Sequence, residues 1–253
     1  MIIRNDQVAA MRDAALENFQ TEMVEHLREF APKHSEILGV EGIRPIVRLG
    51  WERALVYGFT NRGPARLYLE LMFMLGSDFD TDPQLPWAAQ ILTDQASPNQ
   101  MSRADRLYEK SGEYVAKVAG PDYEYAKQAL RRAKQVQLQG LSLSAAAFET
   151  ELLAHLRSNH PEKCHYIGEP ALRSLIPLGV ELAKRHSIAT SAGLILLTGL
   201  AFALGHGFST DLQFPWISST LGNDRIGDPN KRVERLYSKT MTYLDHVLAY
   251  HER

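Results

Sequence analysis

Shifted by 129 positions, this sequence matches itself without a gap, and that internal match constrains the fold more than any other feature. Phe19-Gln20-Thr21-Glu22 meets Phe148-Glu149-Thr150-Glu151, and His26-Leu27-Arg28 meets His155-Leu156-Arg157. Leu49-Gly50 meets Leu178-Gly179, and Phe73, Leu75 and Gly76 meet Phe202, Leu204 and Gly205. Phe79, Thr81, Asp82, Gln84, Pro86 and Trp87 meet Phe208, Thr210, Asp211, Gln213, Pro215 and Trp216, and Arg106-Leu107-Tyr108 meets Arg235-Leu236-Tyr237. About a third of positions 19–118 equal their partners at 148–247. Two copies of such length are too few for a solenoid. They predict a pair of subdomains related by a pseudo-twofold axis, as in a fused dimer. The expected division is a first repeat over 1–120, a linker helix over 121–140 and a second repeat over 141–253.

Each copy reads as helical. Val8, Met11, Ala15, Leu16, Phe19, Met23, Leu27 and Phe30 recur at spacings of three and four, an amphipathic stripe over 7–31 that Pro32 and Gly39 punctuate. Further helices are expected over about 41–58, 64–75, 84–93 and 99–118, with Asp82 before Pro83 as a capping signal. Residues 122–138 form the polar linker helix, ended by Gly140. No alternating β-rich run occurs, so the fold class is all-α. In the third helix of the second copy Ile195, Leu197 and Gly199 replace Arg66, Tyr68 and Glu70, which predicts a more buried, central helix.

Composition narrows the function classes. Lys plus Arg (28) nearly balances Asp plus Glu (30), so the basic footprint of a nucleic-acid binder is absent. The single cysteine, Cys164, excludes an internal disulfide and reads as a buried thiol in a reducing compartment. The most apolar stretch, 193–205, falls short of the roughly 20 residues that span a bilayer. The opening residues show no basic region followed by an apolar run. A cytoplasmic protein with no membrane insertion is expected.

The polar constellations favour structure over chemistry. Asp78-Phe79-Asp80-Thr81-Asp82 opens like a calcium loop, but Pro83 and Ala89 stand where that loop needs Gly and Glu. No metal and no cofactor are expected. Glu22 with His26, and Glu151 with His155, lie one helical turn apart, where a carboxylate can fix an imidazole tautomer. Trp87 and Trp216 read as loop anchors, and Arg106 and Arg235 as partners of Asp82 and Asp211 within each unit. With Tyr108 and Tyr237 these residues form the repeat's structural signature, and no catalytic residue is assigned. The copies differ at Arg48/Pro177, Trp51/Val180, Arg53/Leu182, Tyr57/His186 and Asp78/Gly207. Two similar frames with different dressing suit an asymmetric protein-binding face, so Arg48, Trp51, Arg53, Tyr57 and Asp78 are the candidate partner-binding residues.

Three segments carry a resemblance to a known family. They are Met1-Ile2-Ile3-Arg4-Asn5-Asp6-Gln7, Phe19-x-x-x-Met23-Val24-x-His26-Leu27, and Leu75-Gly76-x-Asp78-Phe79-Asp80-Thr81-Asp82-Pro83-x-Leu85-Pro86-Trp87-Ala88. Together they resemble uncharacterised bacterial proteins encoded beside type VI secretion effector, spike and tip genes. The resemblance is strongest over 1–118, and the second half departs from the loop pattern at Gly207, Ser209, Leu212 and Phe214. It implies a non-enzymatic accessory role with a protein partner, either a secreted effector or a component of the secretion spike. Adaptor or chaperone is the leading expectation, and immunity protein the alternative. From another class, the alternative is a helical enzyme with a polar site near Glu22, His26 and Asp82, or near their second-copy counterparts Glu151, His155 and Asp211.

Overall fold

The structure is a computed structural model that describes the backbone of residues 5–138, 142–144 and 146–251, and the side chains within that range from residue 14 to residue 250. Val8 and Met11 of the first stripe, and Gly140 at the expected linker end, lie outside the described side chains and residues. Among the described residues every regular element is helical. The helices are α1 (Asn5–Phe30), α2 (Pro32–Val56), α3 (Arg62–Leu75), α4 (Pro86–Leu92), α5 (Gln100–Val118) and α6 (Glu124–Gln135). They continue with α7 (Phe148–Asn159), α8 (Pro161–Arg185), α9 (Ser191–Leu204), α10 (Pro215–Leu221) and α11 (Pro229–His251). The bounds of α2, α3 and α4 recur in α8, α9 and α10 after a shift of 129.

Local chemistry sets the element ends. Pro32, Pro86, Pro161 and Pro215 each open a helix in its first turn, where the missing N–H costs nothing. Ser35 Oγ donates to Leu27 O at 2.8 Å and ties the α1–α2 corner. Within α2 the backbone leaves the helical region at Gly39 (φ 66°, ψ 169°), so a short helical segment from Pro32 precedes the helix expected from about 41, and Gly168 (φ 78°, ψ 169°) divides α8 in the same way. Both α3 and α9 stop at a glycine with positive φ, Gly76 and Gly205.

Two buried clusters form. The first gathers Phe19, Met23, Leu27, Ile43, Ile46, Ala54, Tyr68, Leu69, Met72 and Leu107, with Trp51 and Trp87 packed on its edge. The second gathers Leu152, Leu156, Leu172, Leu175, Leu197, Phe202, Ile217 and Leu236, with Trp216 on its edge. Each fully buried Leu, Ile or Phe contributes about 1.5–3 kcal/mol against leaving it exposed. Phe30, expected inward at the end of the first stripe, is 43% exposed. In α9, Ile195, Leu197, Thr198, Leu200, Ala201 and Phe202 are buried, as its apolar character predicts. Helix α6 lies along α11 and buries only Ala129 fully. Among the described residues no helix is long and apolar enough to cross a membrane.

Candidate functional site

The two loops that follow α3 and α9 press backbone against backbone. A Cβ on Gly76 would sit 2.5 Å from Leu204 O, and one on Gly205 would sit 3.2 Å from Leu75 O. Only glycine fits so close an approach at positive φ. Each loop then sends an aspartate across. Asp211 accepts the Ser77 backbone N–H at 2.8 Å and the Ser77 hydroxyl at 2.6 Å. Asp82 accepts the His206 backbone N–H at 2.8 Å. Each aspartate also accepts the N–H two residues on, from Gln84 and Gln213 respectively. The glutamines complete the exchange. Gln84 Nε2 donates to Ala201 O at 3.0 Å, and Gln213 Nε2 donates to Met72 O at 2.8 Å. All four side chains are buried.

The two aspartates were expected to pair with arginines inside their own units. Instead Arg106 pairs with Asp94 at 2.6 Å, and Arg235 is exposed. The physical reason is that a buried carboxylate satisfied by several N–H and O–H donors needs no guanidinium. A titratable group makes one side of the junction different. His206 Nδ1 stands 3.5 Å from Asp82 Oδ2, an ion-pair separation, where the other loop carries Ser77. The Asp82 contact holds the His206 pKa above its ordinary value against the opposing effect of burial. Burial would raise the Asp82 pKa, but the His206 imidazole and the N–H donors of Gln84 and His206 outweigh it and hold it low. His34 lies between the halves too, 5.7 Å from the Phe73 ring and 5.5 Å from the Phe214 ring, and burial pushes its pKa down.

Beside the junction, the first half carries a polar cluster that the second lacks. Arg53 donates to Asp78 Oδ1 and to Ser77 O, both at 2.5 Å. Asp80, buried, accepts from Tyr57 at 3.0 Å and Tyr68 at 2.7 Å. Its Oδ1 makes no hydrogen bond and lies 3.9 Å from Arg53 Nη1. Burial and the Asp80 charge push the Tyr57 phenol up to about 12, and the same causes push Tyr68 up as well. Both phenols stay neutral donors at physiological pH, so neither serves as a base. Of the candidate partner-binding residues, Arg53, Tyr57 and Asp78 therefore come together. Trp51 packs on Phe19 at 4.8 Å, and Arg48 is exposed outside the cluster.

The remaining candidates are dispersed. His26 bonds Glu70 at 2.6 Å rather than Glu22, which pairs with Arg62. Glu151 accepts the Ser144 N–H rather than holding His155. The three first-copy groups of the catalytic alternative are thus engaged in separate places. Among the described residues no group of three or more His, Cys, Asp or Glu is placed to hold a metal ion. Cys164 is buried, and burial pushes its thiol up to about 11. An open groove of about 520 Å³ between α5 and α8, lined by Glu113, Lys117, Glu162, His165 and Tyr166, mixes charges of both signs and converges on no single atom.

Two positions escaped functional assignment from sequence. Arg103 donates to Leu92 O and Tyr57 O, and Arg232 donates to Leu221 O and His186 O. Their identity across the repeat was the available signal. Tyr108 and Tyr237 also separate: Tyr237 donates to Val136 O at 2.7 Å, while Tyr108 is 71% exposed. In comparisons with known proteins the chain matches no family model, no curated protein and no solved structure.

Proposed function

We propose that this chain is a non-enzymatic, protein-binding accessory protein of the cytoplasm, an adaptor or chaperone for a type VI secretion effector. On this reading it consists of two copies of one helical unit. A pseudo-twofold axis passes near Gly76 and Gly205, and the first copy presents the binding face. The observation that carries the reading is an asymmetry of apolar exposure. Phe30, Val40, Leu55 and Val56 are exposed in the first half, where the matching positions of the second carry Asn159, Glu169, Lys184 and Arg185. Exposed apolar side chains at the positions where a sister unit carries polar ones mark a surface meant for contact. Arg53, on the same helix and close to Leu55 and Val56 in sequence, pairs with Asp78 of the loop after α3 and supplies a polar rim.

The test is co-expression with type VI secretion effector and spike proteins, followed by size-exclusion chromatography. The expected result is a stable complex with one of them that Leu55→Glu with Val56→Glu weakens at least about tenfold. Co-elution with none of them overturns the reading. Relief of an effector's toxicity in cells that cannot secrete assigns the immunity role in place of the adaptor role.

A further inference from the structure

The two Arg-Leu-Tyr helices are matched in sequence but not in their surroundings. On α11, Tyr237 donates its hydroxyl to the carbonyl of Val136, the residue that ends α6, and α6 lies along the helix. Lys134 of α6 adds an ion pair with Asp245. On α5 the matching tyrosine, Tyr108, is 71% exposed, and its hydroxyl has no partner among the described residues. Met101, Gly112 and Val115 share its face at helical spacing, with Met101 and Gly112 exposed and Val115 partly so. Space beside Gly112 is open, with no atom within 4 Å of a Cβ built there. The rim is acidic: Asp105 and Glu109 flank Tyr108, are exposed, and form no ion pair among the described residues.

We propose that this face of α5 docks a basic, alanine-rich amphipathic helix of the partner protein, lying on α5 as α6 lies on α11. Three features define that occupant. The helix presents small side chains, as α6 presents Ala126, Ala129 and Ala133, and Gly112 lets its backbone come close. It carries Lys or Arg toward Asp105 and Glu109, as α6 carries Lys134 toward Asp245 of α11. It ends on an extended residue whose carbonyl accepts the Tyr108 hydroxyl, as Val136 (φ −67°, ψ 115°) does for Tyr237. The proposal rests on the partner-binding reading above and on the correspondence of the two copies.

The probe is a synthetic peptide of residues 122–138, titrated into the isotope-labelled full chain, whose own α6 already covers α11. The expected result is saturable chemical-shift change at Met101, Tyr108, Gly112 and Val115. Tyr108→Phe removes one hydrogen bond and weakens binding about fivefold. Asp105→Lys with Glu109→Lys, and separately Gly112→Arg, weaken it more than about tenfold. Circular dichroism of the variants confirms that they fold. No binding at millimolar peptide, or shifts confined to α7 and α11, overturns the proposal. Self-association of the chain through the same residues also overturns it, since the occupant is then a second copy. Any of these failures leaves the accessory reading intact, because that reading is decided by complex formation with the effector and by Leu55 and Val56.

Discussion

Asp82 and Asp211 hold equivalent places in their loops, yet one faces a histidine and the other a serine. The junction therefore carries two different titrating groups, His206 beside Asp82 and His34 on the side of Asp211 and Gln213. The His206 pKa is raised in the folded chain, so its contribution is fully present below the unfolded histidine pKa and is lost as pH rises through the raised value. The Asp82 pKa is depressed, so its contribution is present above the unfolded carboxylate pKa and is lost as pH falls through the depressed value. His34 works on the acid side with Asp82: its lowered pKa adds stability above the unfolded histidine pKa that is lost as pH falls. Urea midpoints measured from about pH 5 to about pH 9 should therefore decline on the alkaline side in the wild type. His206→Ser, which copies Ser77, should flatten that decline, and an unchanged slope refutes the assignment. Asp211→Asn should cost about 1–3 kcal/mol at any of these pH values, because one Ser77 donor then faces an amide that also donates. The importance of these aspartates was legible from their repetition. Their partners were not, because a one-dimensional match cannot distinguish a bond within a unit from one between units, and Arg106 and Arg235, repeated like the aspartates, offered themselves as partners within each unit. Tyr108 and Tyr237 illustrate the same limit, being identical residues whose exposure depends on where α6 lies.

Helix boundaries were the most legible features, because prolines open α4 and α10, glycines close α3 and α9, and both signals act locally. The short helical segments that precede Gly39 in α2 and Gly168 in α8 were not legible, although the break at Gly39 was. The shared Leu-Gly pairs gave no reason for their glycine until helix packing was visible. A Cβ on Gly50 would lie 2.2 Å from Leu69 Cδ2, and one on Gly179 would lie 2.2 Å from Thr198 Oγ1. Both sites are where the long helix of a half crosses its third helix, α2 over α3 and α8 over α9. Gly50→Ala and Gly179→Ala should therefore each destabilise by about 1–3 kcal/mol through overpacking. Gly199→Ala, inside α9 with nothing within 4 Å, should instead stabilise by up to about 1 kcal/mol through helix propensity and a less flexible unfolded chain. Thermal melts of the three variants provide the check, and a destabilised Gly199→Ala would show that α9 meets something beyond its described neighbours.

The two copies could have been joined like beads, each complete in itself, and the sequence alone allows that. The junction argues otherwise. The N–H groups of Ser77 and His206 and the carbonyls of Met72 and Ala201 each find a hydrogen-bond partner in the opposite half. A half taken alone leaves Asp82 and Gln84, or Asp211 and Gln213, without these cross-bonds, and buried polar groups left unsatisfied cost about 1–3 kcal/mol each. Helix α5 also packs on α8, with Tyr114 edge-on to Tyr166 at 5.4 Å. The natural cut lies at Gly120 and Pro121, because α6 packs on α7 and α11 and so goes with the second half. Fragments 1–120 and 121–253 should each unfold with poor cooperativity alone and recover a single cooperative transition when mixed. Asp82→Asn with Asp211→Asn should abolish that recovery while each fragment keeps its helical signal. Should the separate fragments melt as sharply as their mixture, the aspartate exchange would be a contact between two self-sufficient domains. A loss of complementation confined to the double variant would make the exchange the element that turns a duplicated sequence into one folding unit.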